Sequence, residues 1–172
     1  MTTSAAVKGL FDAERYLLVR LQEQRLDLID NDRIVQSYVV STAKNGPGQN
    51  FGSECTPIGQ HRIRAKIGAE QPLGCVFVGR RPTGEIFSDG LASRYPGRDW
   101  ILSRILWLSG LEPGRNRFAK VDTLRRFIYI HGSPDNYITG EPESHGCIRM
   151  KNAAVMDLFD RVAVNTLVKI RI

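Results

Sequence analysis

The sequence predicts a mainly β fold with two or so helices, and three observations carry that prediction. Apolar residues recur at every second position through most of the chain, the period of a strand with one buried and one wet face. Only two stretches carry helical spacing. Turn-forming Gly, Pro, Asn and Asp punctuate the alternating runs. The 172 residues, 42% hydrophobic and 24% charged, fit one globular domain and exclude collagen, coiled coil and disorder.

Taken in order, residues 1–14 carry Lys8, Asp12 and Glu14 and no apolar run of signal-peptide length. They read as an N-terminal extension to a domain over 15–172. Strands are expected at 15–21, 24–30, 33–40, 61–67, 74–80, 84–88, 125–131 and 166–172. The clearest is 61–67, where His61, Ile63, Ala65 and Ile67 interleave with Arg62, Arg64 and Lys66. A helix is expected at 99–110, with Ile101, Ile105 and Leu108 on one face and Gly110 as C-terminal cap. A second is expected at 152–162, with Asn152 as N-cap and Val155, Leu158, Phe159 and Val162 in one stripe. The segment 89–120 therefore reads as a helical excursion, with Trp100, Trp107 and the Glu112-to-Asn116 turn either rimming a cleft or packing into the core. Two long polar loops remain, 41–59 and 131–147, and loops of that length in a compact domain are where a site is expected.

No stretch approaches the roughly 18 apolar residues of a membrane span, so no integral membrane segment is expected. With no export signal seen, the chain as given reads as cytoplasmic, or periplasmic if its N-terminus was trimmed. The formal charge of +6, from 24 Lys plus Arg against 18 Asp plus Glu, points to anionic partners. Nucleic acid is not expected, because the basic residues are scattered and aromatics make up only 8% of the chain.

The second loop gathers chemistry. It holds His131, at the end of the apolar run Phe127 to Ile130, and His145 and Cys147 in Ser-His-Gly-Cys. Histidine can take a thiol proton near neutral pH, and the thiolate is the nucleophile. Gly146 beside the cysteine allows the backbone N–H groups of 145–147 to turn toward an oxyanion. The same residues could instead be three zinc ligands, although no Cys-x-x-Cys or His-Glu-x-x-His pattern is present. A non-catalytic binding module is the remaining alternative. Three cysteines make no disulfide framework. Cys75 reads as core, Cys55 as a loop thiol with no histidine close in sequence, and His61 as a packing residue.

Ile-His-Gly-Ser-Pro-Asp followed by Ser-His-Gly-Cys-Ile-Arg-Met closely resembles the catalytic domain of L,D-transpeptidases (YkuD type, Ser-His-Gly-Cys subgroup). The resemblance extends through Val39 to Gly48, Glu54 to Gly68 and Gly110 to Asn116. It implies a β-sandwich of mixed sheets, with Cys147 as nucleophile and His131 as general base oriented by the Gly132 carbonyl. Asp135, Glu141 and Glu143 are accordingly not triad members. It further implies His145 as a third catalytic residue, lining the site and assisting its electrostatics, Gly146 at the oxyanion, Ser144 as a hydrogen-bonding loop residue on the substrate side, and no metal or cofactor. Arg149 stands where many members carry Asn and could hold a substrate carboxylate. The implied partners are peptidoglycan stem peptides or muropeptides, cleaved between diaminopimelate and D-Ala through a thioester. Transfer to an amine is L,D-transpeptidation; transfer to water is L,D-carboxypeptidation, the outcome favoured for a cytoplasmic protein. The metal-dependent peptidase and the wall-binding module stay open as alternatives.

Overall fold

The computed structural model describes residues 15–172, and the 1–14 extension lies outside them. Ten strands alternate with short connections: β1 (Arg15–Arg20), β2 (Arg25–Asp30), β3 (Arg33–Val39), β4 (Gly59–Ile67), β5 (Cys75–Val78), β6 (Arg81–Ile86), β7 (Ile101–Gly110), β8 (Tyr129–Gly132), β9 (Ile148–Met150) and β10 (Leu167–Arg171). Two α-helices accompany them, α1 (Asp89–Arg94) and α2 (Asn152–Arg161). The sheet runs β3-β2-β1-β10-β4-β7-β5-β6, with β8 branching from β7 and β9 pairing onto β8. β1 with β10 and β8 with β9 are parallel, and the other pairs are antiparallel. This is the mainly β, mixed-pairing, two-helix fold that the sequence predicts.

Both arms of the branched sheet contribute to one core. Leu17, Leu26 and Leu28 from β1 and β2 cluster with Ile130, Ile148 and Met150 from β8 and β9, and with Val155 and Leu158 of α2. The stripe on α2 is therefore as expected. Its start is not. The helix is entered from Lys151, whose side chain makes no cap, and the Asp135 carboxylate accepts the Asn152 N–H at 2.8 Å instead. Asn152 uses its own amide to tie three elements together. It donates to Ser133 O at 2.9 Å and accepts from Ser103 Oγ at 2.5 Å. At the other end, Lys66 Nζ donates to the carbonyls of Phe159 and Val162, a cation placed where the helix dipole favours one.

The structure corrects the expected helix at 99–110, which is strand β7. β7 pairs along its edges with β4, β5 and β8, and eight of its ten residues are buried, so neither face is wet and the period of two is lost. Its Ile101, Ile105 and Leu108 satisfy helical spacing by accident, and period alone cannot separate the two. Gly110 is accordingly no helix cap. A Cβ there would lie 2.1 Å from Asn116 O, so the glycine serves the close approach of the Glu112–Asn116 turn. The helical excursion over 89–120 reduces to α1, missed from the sequence, and a single 3₁₀ turn at Ala119–Val121. β9 was also missed, being only three residues long. The strand expected at 125–131 begins at Tyr129, because Phe127 has φ 56° and breaks the extension.

Candidate active site

The two polar loops pack against each other beside the parallel β8–β9 pair. Ser144 N–H donates to Thr42 O at 2.8 Å, and Lys44 N–H to Ser144 O at 2.9 Å. Thr56 Oγ1 accepts from Ala43 N–H and donates to Gly146 O at 2.9 Å. The first loop is thus the scaffold on which 141–147 is shaped, and Cys147 is delivered at the entrance to β9.

Cys147 is partly exposed. The Tyr129 N–H points at its sulfur from 3.3 Å, and the S–H reaches Phe127 O at 3.4 Å. His131 is buried on β8, opposite Arg149 in the strand register. Its Nδ1 lies 2.7 Å from Gly132 O. A carbonyl can only accept, so Nδ1 carries the hydrogen and Nε2 is the bare acceptor. Cys147, His131, His145 and Arg149 line one cavity of about 110 Å³, together with Asp99, Arg126, Phe127 and Ile128.

Burial pushes the Cys147 thiol up to about 12, opposed by the Tyr129 N–H and by the guanidiniums of Arg149 and Arg126, with Asp99 adding to the rise. Burial also drives the His131 imidazolium down, opposed by the Gly132 carbonyl and Asp99 and reinforced by Arg149. The resting pair is therefore a neutral thiol and a neutral imidazole, a combination in which a proton can pass from sulfur to nitrogen as a bond forms to an electrophile.

The remaining candidates take distinct places. Ser144 is buried and donates from Oγ to Cys147 O at 2.5 Å, while accepting the Gly146 N–H at 3.2 Å. An oxyanion would compete with that hydroxyl for the Gly146 amide, which leaves the amides of His145 and Cys147 as the other candidate donors. Gly146 has φ 131°, and a Cβ there would meet Ile128 Cδ1 at 3.1 Å and Cys55 O at 3.3 Å. His145 is exposed and lines the central cavity and the hollows on either side of it. Arg149 pairs with Asp99 at 3.1 Å and reaches Glu143 O at 3.5 Å. One neighbouring hollow, about 180 Å³, is walled by Arg98, Trp100 and Tyr137. The other, about 220 Å³, is walled by Phe51, Glu54, Arg126 and Phe127. Phe51 also borders a wider recess of about 740 Å³ that carries Lys120 and Arg125.

Cys75 is buried in β5 and His61 is buried in β4, and neither lines this cavity. Cys55 is partly exposed, with its carbonyl against Gly146. Among the described residues no three His, Cys, Asp or Glu side chains are gathered as metal ligands, and no helix is long and apolar enough to cross a membrane. Sequence reasoning missed Asp99, Arg126 and Phe127. Asp99 lay in the supposed start of a helix, and Arg126 and Phe127 in a supposed strand.

Solved structures similar to this chain share its fold. They include an L,D-transpeptidase from Mycobacterium smegmatis, with TM-score 0.58 and 14% identity over 92% of this chain and 59% of that one. An L,D-transpeptidase from Xylanimonas cellulosilytica has TM-score 0.53 and 18% identity over 98% and 70%. L,D-transpeptidase 3 from Mycobacterium tuberculosis, in complex with a faropenem-derived adduct, has TM-score 0.53 and 12% identity over 92% and 60%. The chain thus spans about 59% of the length of the M. smegmatis protein. No curated protein matches the sequence. The family model of the YkuD L,D-transpeptidase catalytic domain matches residues 14–170, nearly the whole chain. The chain belongs to the L,D-transpeptidase catalytic-domain family.

Proposed function

We propose that this chain catalyses acyl transfer from peptidoglycan stem tetrapeptides through a thioester on Cys147. The observation that carries this is the shared cavity: a thiol in its lining, a buried imidazole held by the Gly132 carbonyl in the tautomer that leaves Nε2 bare, and a neighbouring hollow on either side. His131 Nε2 takes the thiol proton as the sulfur attacks the diaminopimelyl carbonyl. The tetrahedral oxyanion is received by backbone amides around Gly146. The imidazolium then gives its proton to the departing D-Ala amine, and the thioester remains. An acceptor amine attacks next and yields its proton to His131, which returns it to sulfur as the thiol is released. Water in place of the amine gives L,D-carboxypeptidation with the same groups. The two flanking hollows can take the two sides of the donor's scissile bond in either route.

Arg149 is the carboxylate-holding residue in this reading, and Ser144 braces the loop by bonding Cys147 O. His145 lies along the groove rather than on the thiol. The basic surface and the Lys120–Arg125 recess match the carboxylates of the stem peptides. A faropenem-derived adduct is present in the M. tuberculosis relative, which favours a β-lactam as probe. Intact-mass analysis after exposure to a carbapenem is expected to show one covalent adduct that Cys147→Ala abolishes. No adduct, or one that maps to Cys55, overturns the assignment. Incubation with a disaccharide tetrapeptide then reads the acceptor: crosslinked dimers for an amine, tripeptide plus D-Ala for water.

A further inference from the structure

Two guanidiniums line the Cys147 cavity, Arg149 and Arg126, and they differ in what surrounds them. Arg149 is joined to the Asp99 carboxylate, so much of its charge is offset where it stands. Arg126 is half-buried, and among the described residues its hydrogen bonds run only to neutral oxygens. Nη1 donates to Gly48 O and Gln49 O, both at 3.2 Å, and Nη2 to Ser53 Oγ at 3.3 Å and Cys55 O at 2.7 Å. Four neutral acceptors fix the guanidinium without cancelling its charge, so its field reaches the cavity. The carbonyl it grips hardest, Cys55 O, is the one that packs against Gly146.

We propose that Arg126 is a positioning residue for the Cys147 thiolate, fixed by the 48–55 loop so that its uncancelled charge faces the sulfur and its hold on Cys55 O sets the Gly146 turn. The electrostatics run both ways. Burial lowers the Arg126 guanidinium while the Cys55 and Cys147 sulfurs raise it, and Arg126 in turn pulls the Cys147 thiol down against its burial. The other charged or titratable groups facing that sulfur are Asp99 and Arg149 at the mouth, His131 on β8, exposed His145, and the Tyr129 hydroxyl, which is held by Arg80 at 3.0 Å. Both guanidiniums pull the thiol down, but Asp99 opposes a thiolate and offsets the Arg149 paired with it, so among the described residues Arg126 is the cation of the two that no carboxylate offsets.

The inference deepens the reading of Cys147 as the reacting thiol, and its test needs no peptide substrate. The rate of iodoacetamide alkylation at Cys147 is followed against pH by peptide mass analysis, with added N-acetylcysteine as the reference thiol. Arg126→Gln is expected to slow Cys147 alkylation about tenfold at pH 8 and move its profile about one unit to alkaline. Arg126→Lys, which keeps the charge and loses the fork, is expected to hold the profile near that of the unsubstituted chain while lowering the melting temperature. An unmoved profile in a folded Arg126→Gln overturns the proposal. If that variant does not fold, Arg126→Lys decides: a profile displaced by a full unit shows that charge is not what Arg126 contributes. An unchanged carbapenem result beside a shifted profile, or the reverse, separates failure of this inference from failure of the proposed reaction.

Discussion

Asp99 and Arg149 meet across the mouth of the Cys147 cavity, carboxylate oxygen to guanidinium nitrogen at 3.1 Å, although 50 residues separate them in sequence. The pair is lopsided: the Arg149 side chain is 12% exposed and that of Asp99 is 55% exposed. The arginine is held in the wall and the aspartate rests on it from outside, in the position an incoming carboxylate would take. Removing the occupant should improve binding of an acidic substrate. Asp99→Asn is expected to lower KM for a stem tetrapeptide about fivefold, worth about 1 kcal/mol for a partly exposed pair, with kcat within twofold. Arg149→Ala should raise KM by a similar factor. Steady-state kinetics check both, and a raised KM in Asp99→Asn would mean that the aspartate supports the site instead of occupying it.

Gly146 offers a second check. Its φ of 131° lies where side chains are strained, and any Cβ would press on Ile128 and the Cys55 carbonyl. Gly146→Ala is expected to cost about 1–3 kcal/mol, read by urea denaturation, and to abolish carbapenem acylation even in the folded fraction. A variant that acylates at the original rate would remove the turn from the oxyanion site.

His61 governs acid stability rather than chemistry. It is buried between Gly59 O and Thr123 Oγ1, each 3.1 Å from a ring nitrogen, and burial drives its imidazolium down to about 4. The unfolded chain takes up a proton near pH 6.5, whereas the folded chain resists until about pH 4. Stability is therefore unaffected by this group above pH 6.5 and falls as pH drops from 6.5 toward 4, by about 3 kcal/mol in all. Chemical denaturation at pH 7.5, 6, 5 and 4 should trace that fall. His61→Gln should reduce it, leaving the contribution of His131, which burial shifts in the same direction. Equal slopes with and without His61 would sink the assignment.

How much of this was legible in advance varies with the physics involved. Alternation exposed the outer strands because one face of each is wet, and the Ser-His-Gly-Cys motif marked its own loop. β7 defeated the same reasoning because burial on both faces erases the period. Arg126 and Asp99 could not be found from spacing, since each reaches the cavity from a segment with no motif. What places Arg126 there is three main-chain oxygens and the Ser53 hydroxyl in 48–55, and main-chain oxygens leave no trace in side-chain pattern. Asn152 was read as a cap from its identity; in the folded chain Asp135 does the capping, a long-range contact that local sequence does not encode.

The parallel pairing of β1 with β10, Tyr16 against Leu167 through Arg20 against Arg171, bears on how the chain comes off the ribosome. β10 lies between β1 and β4 in the sheet, so the hydrogen-bonded sheet cannot be completed between the first three strands and β4 until β10 has emerged. During synthesis the β1–β2–β3 hairpins must wait as a separate piece with an open edge, and the catalytic half must wait with a gap in its own. Such long-range closure slows folding and exposes unpaired strands meanwhile. Premature termination just before Leu167 should therefore yield an aggregating product rather than a weakened enzyme.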